Sequence, residues 1–574
     1  MRKLFVLLAA VAILVGALVV PVTASTPAEL TRLAEYYPSD TLLFAAIRTD
    51  DDFIAELDSL VGTLADTLPS GTLPVSSLRE ILNFASMSID PEGDFDSVFR
   101  SWLGDSASIG VLDFDMTGAS SAPFIVAVEI NDQASTEIFL EANGVIDGFT
   151  REEVDGAIVF TPMMRMGDQG VVVIRDDVLL LALELDDLAI AGMQSDPLSG
   201  VEAFSSTIAR LPEESYNAVI YNDFGALLAK SMEFNEAMST MQMPPSYLEA
   251  LEAIGPQVYG ATILDGRSLT IDLVATYDDM AALQAVAGMT MSMTTEPIDP
   301  TFASHIPAGT PLVIIANNSV GGQPIAQLEA LIDSFATQDM FTESDERQAR
   351  QAIFALETGI RGITGLEADE VFGLFTGDIA ATLGLSAAAS DASSLEGLAS
   401  AMPVEFAIIA EATDAAKFAE LVEGLATGLT DLPVEEVTIG RSDVAGSNGL
   451  VITIKGDNMP FTIEIVIASN EDVFAIGTRR AVQFALAPTA GAGLDSDPAY
   501  IEAAGYLLAD PVSIAYAAGG GFQPLARLLA ANEFSEREGE SLAAVLNLIS
   551  SASVSAVAIG EDSSVARLVW TLPE

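Results

Sequence analysis

The densest run of potential metal ligands in this sequence is Asp90-Pro91-Glu92-Gly93-Asp94-Phe95-Asp96, with an acid at every second residue. Calcium takes roughly 6–8 hard oxygens, so a run of this kind suits it chemically. The spacing departs from a helix–loop–helix calcium loop: Gly93 comes two places early, Phe95 holds the glycine position, and Ser101 stands where a bidentate glutamate is needed. The run therefore reads as a solvated loop in which Asp94 or Asp96 caps the helix leading to Trp102. Asp90, Glu92, Asp94 and Asp96 remain the metal candidates, with calcium the ion. The paired acids at Asp50 to Asp52, Asp186-Asp187 and Asp278-Asp279 read as helix caps, since a carboxylate at a helix start accepts orphan amide hydrogens and suits the dipole.

Other chemistries are narrowly bounded. There is no cysteine, which removes disulfides, zinc–thiolate sites, iron–sulfur clusters and thiol nucleophiles. His305 is the single histidine, and its counterpart in an internal repeat described below is Tyr36, an exchange that fits an amphipathic structural side chain rather than a base. No Ser-His-acid triad is expected, and no catalytic residue is assigned. Twelve of the 18 methionines lie between Met163 and Met293, a soft-ligand cluster that would suit copper(I) but equally lines apolar gaps and grooves. Gly519-Gly520-Gly521 lies between a strand and a helix without a phosphate-loop lysine and reads as a loop. A glycosidase needs two carboxylates about 5–10 Å apart, and 83 acidic residues leave that open.

The chain has 574 residues, of which 50% are hydrophobic, and its 83 acids against 23 basic residues give a net charge of −60. Such a chain builds cores beneath an acidic skin. Its field repels phosphate backbones and anionic membrane surfaces, so neither nucleic acid nor an anionic membrane is an expected partner. Lysine is nearly absent after the amino terminus, occurring only at Lys230, Lys417 and Lys455.

Residues 1–24 read as an export signal: Arg2 and Lys3, an apolar run from Leu4 to Val20, then Val22-Thr23-Ala24 with cleavage expected after Ala24. The run is close to bilayer-spanning length, so an uncleaved anchor is the alternative. Export without cysteine points to a bacterial protein at the periplasm, cell surface or exterior.

Self-similarity organises the rest. Pro38 to Ile47 reappears as Pro307 to Ala316, displaced by 269; Gly104-Asp105 as Gly377-Asp378, displaced by 273; Phe124 and Glu129 as Phe406 and Glu411, displaced by 282. Asp177-Val178 and Tyr221 recur as Asp472-Val473 and Tyr516, displaced by 295, and Val258, Ile263 and Ser268 as Val554, Ile559 and Ser564, displaced by 296. Collinear matches with slowly drifting displacement imply a duplication: a first repeat over 25–293, a linker at 294–304 and a second repeat over 305–574. Within each repeat, apolar strand-like runs meet an Asp or Asn break and then a helix-like pattern, as at Phe124 to Ile130, Asn131-Asp132 and Thr136 to Glu141. Hairpin signals such as Leu264-Asp265-Gly266-Arg267 interrupt any doubly wound pattern. The expected fold class is α+β: two homologous copies of a mixed or antiparallel sheet unit with helices packed on one side.

Tyr36-Tyr37-Pro38-Ser39-Asp40-Thr41 near the mature start, and Trp102-Leu103-Gly104-Asp105 leading into a strand, resemble the exported bacterial proteins grouped as domain of unknown function 3352. The second repeat departs with Phe375-Thr376-Gly377-Asp378. The resemblance implies export and architecture, and no activity. The composition and motifs together favour a non-enzymatic envelope or extracellular scaffold that binds a protein partner or an apolar ligand, with no cofactor. A carboxylate-based hydrolase and a calcium-dependent surface protein are the alternatives.

Overall fold

Apolar runs ending in Asp or Asn become strand, cap and helix in turn. In the computed structural model, Asp132 accepts from the Ser135 amide at 2.7 Å to start the helix Gln133–Ala142. Asp50 accepts from Phe53 N, Asp223 from Ala226 N and Asp414 from Lys417 N in the same way. The structure describes residues 25–67, 77–87, 93–113, 123–154, 156–163, 170–183, 196–228, 230, 253–264, 267–279, 296–318, 324–337, 342–386, 404–430, 437–455, 462–523, 550–560 and 562–572. Residues 1–24, Asp90, Glu92, Asp186-Asp187 and every methionine of the cluster except Met163 lie outside them. The chain divides into two units, 1–279 and 280–574.

The first unit carries strands β1 (Leu43–Arg48), β2 (Leu103–Val111), β3 (Phe124–Ile130), β4 (Phe149–Val154), β5 (Ala157–Pro162), β6 (Val171–Arg175), β7 (Val178–Ala182), β8 (Ala218–Asn222), β9 (Ile254–Leu264) and β10 (Ser268–Tyr277). They form one sheet in the order β4-β5-β6-β7-β3-β2-β1-β8-β9-β10. The second unit carries β11 (Leu312–Asn317), β12 (Asp378–Leu385), β13 (Val404–Glu411), β14 (Val437–Val444), β15 (Ser447–Ile454), β16 (Ile463–Ser469), β17 (Val473–Gly477), β18 (Ser513–Ala518), β19 (Ser551–Ala558) and β20 (Ser563–Thr571). Its order is the same, β14-β15-β16-β17-β13-β12-β11-β18-β19-β20. The fold is α+β.

Within each unit, all the strand pairs just given run antiparallel, one of the two sheet types expected. One expectation is corrected: helical segments lie on both faces of the first sheet, because alternate residues of its strands are apolar on each side. On one face Ile47, Val126 and Leu181 pack with Phe53 and Leu57 of the helix Asp51–Thr67, with Leu82 of the helix Leu78–Met87, and with Trp102. Trp102 stacks on Phe139 at 4.7 Å. On the other face, Tyr37, Phe44, Phe204 and Tyr221 pack edge to face beneath the short helical segments Thr31–Tyr36 and Glu202–Ile208.

Register corrects the last sequence match as well. Tyr221 pairs with Val258 across β8 and β9, whereas Tyr516 pairs with Ser553 across β18 and β19, a displacement of 295 rather than 296. Burial agrees: Val258 is fully buried while Val554 is 39% exposed, and Ser268 and Ser563 are both fully buried. A one-residue slip moves every side chain of a strand to the opposite face, which residue identities alone do not reveal. Of the segment 294–304 read as a linker, residues from 296 pack within the second unit: Ile298 N donates to Pro511 O at 2.9 Å, Asp299 N donates to Asp378 Oδ2 at 2.7 Å, and Phe302 is buried.

Candidate functional site: an open apolar sheet face

One face of the second sheet is divided into a covered half and an open half. Over β14 to β17, Phe418, Leu421 and Val422 of the helix Ala415–Thr430 pack against Leu450, Ile467 and Phe474. Across β13, β12, β11, β18, β19 and β20, the same face presents Ile408, Ala381, Ile314, Ala515, Val554 and Leu568 as one cross-strand row. Ile408, Ile314, Val554 and Leu568 are 46%, 49%, 39% and 40% exposed. Their strand neighbours on the reverse face, Ile409, Val313, Ile315 and Val569, are 0–1% exposed. The alternation is that of a sheet packed on one side and open on the other.

The helices that follow β11 do not close this face. Ile325 and Ile332 of the helix Pro324–Thr337 gather with Ile353 of the helix Glu343–Thr364 and with Ala368 in a cluster of their own. In the first sheet the equivalent row is Val126, Ile109, Ala45, Ile220, Tyr259 and Leu273. There Val126 and Ala45 are buried and the others half-buried. Sequence patterning found the strands but not this site, because Ile314 and Ala45 are both apolar at matching positions. The aliphatic runs of β11 and β13 are no signal either, since the buried strands β6 and β7 of the first unit are as aliphatic.

A second cluster lies at the end of β1. Arg48 is buried, holds Asp50 through Nε and Nη2 at 2.7 Å each, and lies over the Phe53 ring at 5.9 Å. Nearby, burial pushes the Glu56 carboxyl up to about 7 against the pull of Arg48, with Asp52 and Asp50 adding to the rise. Its Oε2 is buried without a hydrogen-bond partner among the described residues. In the second unit the matching places hold Asn317 and Ile325, and Asn317 Nδ2 donates to Asp378 Oδ1 at 2.9 Å. Burial raises the Asp378 carboxyl too.

The repeated Gly-Asp motif has a packing cause. A Cβ on Gly104 would stand 2.7 Å from Glu129 Cγ and 2.9 Å from the Glu129 carbonyl carbon. Glu129 itself accepts from Ser106 Oγ at 2.8 Å and pairs with Arg32 at 2.9 Å, while Arg32 also reaches Asp177. Arg32 lines a groove of about 560 Å³ together with Glu35, Phe204, Ile208, Leu211 and Glu214.

The sequence candidates fall elsewhere. Asp94 caps its turn by accepting from Ser97 N at 2.8 Å, and the Ser97 hydrogen bonds hold its carboxyl below the usual range. Asp96 pairs with Arg79 at 2.6 Å. Among the described residues no three His, Asp or Glu side chains converge as a metal site. His305 places Nδ1 2.7 Å from the Ala485 carbonyl and its ring beside Phe302. Gly521 lies so close to Pro311 that a Cβ would collide with its ring at 2.3 Å. Met163 is exposed just after β5. Among the described residues no helix is long and apolar enough to cross a membrane.

A family model, protein of unknown function (DUF3352), matches residues 4–446, and the chain belongs to that family. No curated protein and no solved structure matches it.

Proposed function

We propose that this chain is an exported, non-enzymatic bacterial scaffold of two duplicated α+β copies, and that the second copy holds an apolar ligand on the open half of its sheet. The observation that carries the reading is the row from Ile408 to Leu568, four of whose side chains are at least 39% exposed on a continuous apolar face. Adjacent strands lie about 4.8 Å apart, so the row spans roughly 24 Å. Contiguous apolar surface of this extent is uncommon on a soluble chain and marks a binding surface. The identical strand order and the matching register of paired residues support duplication, and Met1 to Ala24 supports export.

The test is binding of Nile red, a neutral apolar probe, to the full chain. Saturable binding that Ile314→Glu weakens at least tenfold supports the reading, and unchanged binding by that variant refutes it. Glu56 favours one second reading, a carboxylate-based hydrolase, since a general acid needs a carboxyl raised toward neutrality. Turnover of a glycoside, ester or peptide that Glu56→Gln abolishes would establish it.

A further inference from the structure

We propose that the groove beside Arg32 in the first unit binds a small organic cation with an apolar body, such as a primary amine on an aryl or alkyl chain. This site does not depend on the reading of the sheet face in the second unit. Its floor is apolar and fixed. Phe204, Ile208 and Leu211 are 3%, 6% and 8% exposed, and the Phe204 ring stands edge-on to Phe44 at 5.8 Å and to Tyr221 at 4.9 Å. The walls come from the segments Pro27–Leu30 and Thr31–Tyr36 and from the helix Glu202–Ile208 with the residues after it. Both walls are pinned. Ser25 and Tyr216 exchange backbone hydrogen bonds at 3.1 and 2.8 Å, and the Tyr216 hydroxyl accepts from Glu213 N at 2.9 Å while donating to Asp272 Oδ2 at 2.7 Å. Ala28, Ser205 and Ala209 are small where they line the gap, which leaves about 560 Å³, the size of a small-molecule site.

Charge in the lining selects among the ligands such a floor accepts. Glu35 comes from the segment Thr31–Tyr36 and Glu214 from beyond Leu211; both are exposed, and among the described residues neither has a basic partner. Glu213 adds a third carboxylate. The basic side chain of the lining, Arg32, is already engaged: Nη2 lies 2.9 Å from Glu129 Oε1, and Nη1 donates to Asp177 Oδ2 at 2.8 Å. An anion would therefore meet carboxylates with no free guanidinium to receive it, and an uncharged ligand would gain the floor alone. A cation gains both, and a primary ammonium presents three donors to these acceptors. The second unit shows that the fold does not itself require the charges. Tyr500 packs on Tyr516 there as Phe204 does on Tyr221, while the places of Arg32 and Glu35 hold Thr301 and Ser304.

Calorimetric titration of the full chain with three ligands of one skeleton, phenylbutylamine, phenylbutanol and phenylbutyrate, tests the proposal. The amine should bind saturably and at least tenfold more tightly than the alcohol, with the acid weaker still. A chain carrying Glu35→Gln and Glu214→Gln should bind the amine only as well as the alcohol, and the alcohol as the parent does. Ser205→Trp, at an exposed position of the groove, should remove amine binding with the unfolding transition retained. Equal binding of amine and alcohol by the parent, or amine binding left unchanged by the paired glutamines or by Ser205→Trp, would overturn the proposal. A Lys-Leu-Lys peptide that binds where the amine does not would overturn it in favour of a protein partner. None of these outcomes bears on Nile red binding or its response to Ile314→Glu, so the two sites stand or fall separately.

Discussion

The cross-strand rows through Ala45 and through Ile314 occupy the same place in the same strand order, and only the first is roofed. The difference lies in the helix that follows the first strand of each unit. In the first unit Phe53, Ile54 and Leu57 turn onto the sheet and are at most 2% exposed. In the second, Ile325 and Ile332 satisfy their burial against Ile353 and Ala368 instead. A sheet face stays open where its following helices find apolar partners elsewhere.

The sharpest way to break this comparison is to place a charge at equivalent points of the two rows. Val126→Asp strands a carboxylate in a closed core and should destabilise the first unit by about 4 kcal/mol. Ile408→Asp faces solvent and should cost about 1 kcal/mol, chiefly in strand preference. Urea unfolding followed separately through Trp102 and Trp570 reads the two units, and equal losses would end the distinction. Next in size, Leu57→Ala removes part of the roof and should cost about 3 kcal/mol in the Trp102 transition, with the Trp570 transition unmoved.

Smaller effects should be shared. Asp132→Ala and Asp414→Ala each delete a helix cap and should each cost about 1 kcal/mol in their own unit. Unequal losses would show that the two helices depend differently on their caps. The smallest effect is one of pH. Because burial raises the Glu56 carboxyl from 4.5 to about 7, its contribution is fully present below about pH 4.5 and is lost as pH rises toward about 7. Glu56→Gln should flatten that decline in thermal melts followed at Trp102 and leave the Trp570 transition as it was.

Much of the local structure was legible. The acids at Asp50, Asp132, Asp223 and Asp414 announced helix starts because a short side chain that accepts backbone amides has few other uses at the end of a strand. A cap at Asp94 or Asp96 was legible for the same reason, and Asp94 takes the role. The match of Val258 to Val554 misled because valine recurs often in strands, and hydrogen-bond register decides which face each one takes. Glu56 was not legible, since a glutamate on a helix gives no sign of whether its carboxyl meets water or core.

The sequence by itself determined the alternation of strand, cap and helix, the exclusion of thiol chemistry, and the strongly acidic composition. These follow from residue type and short-range spacing. Tertiary structure alone decided which apolar face is covered, because burial depends on where a distant helix docks. Ala45 and Ile314 carry the same local instruction, and the packing of residues 51–67 on one side and of Ile325, Ile332 and Ile353 on the other gives them opposite fates.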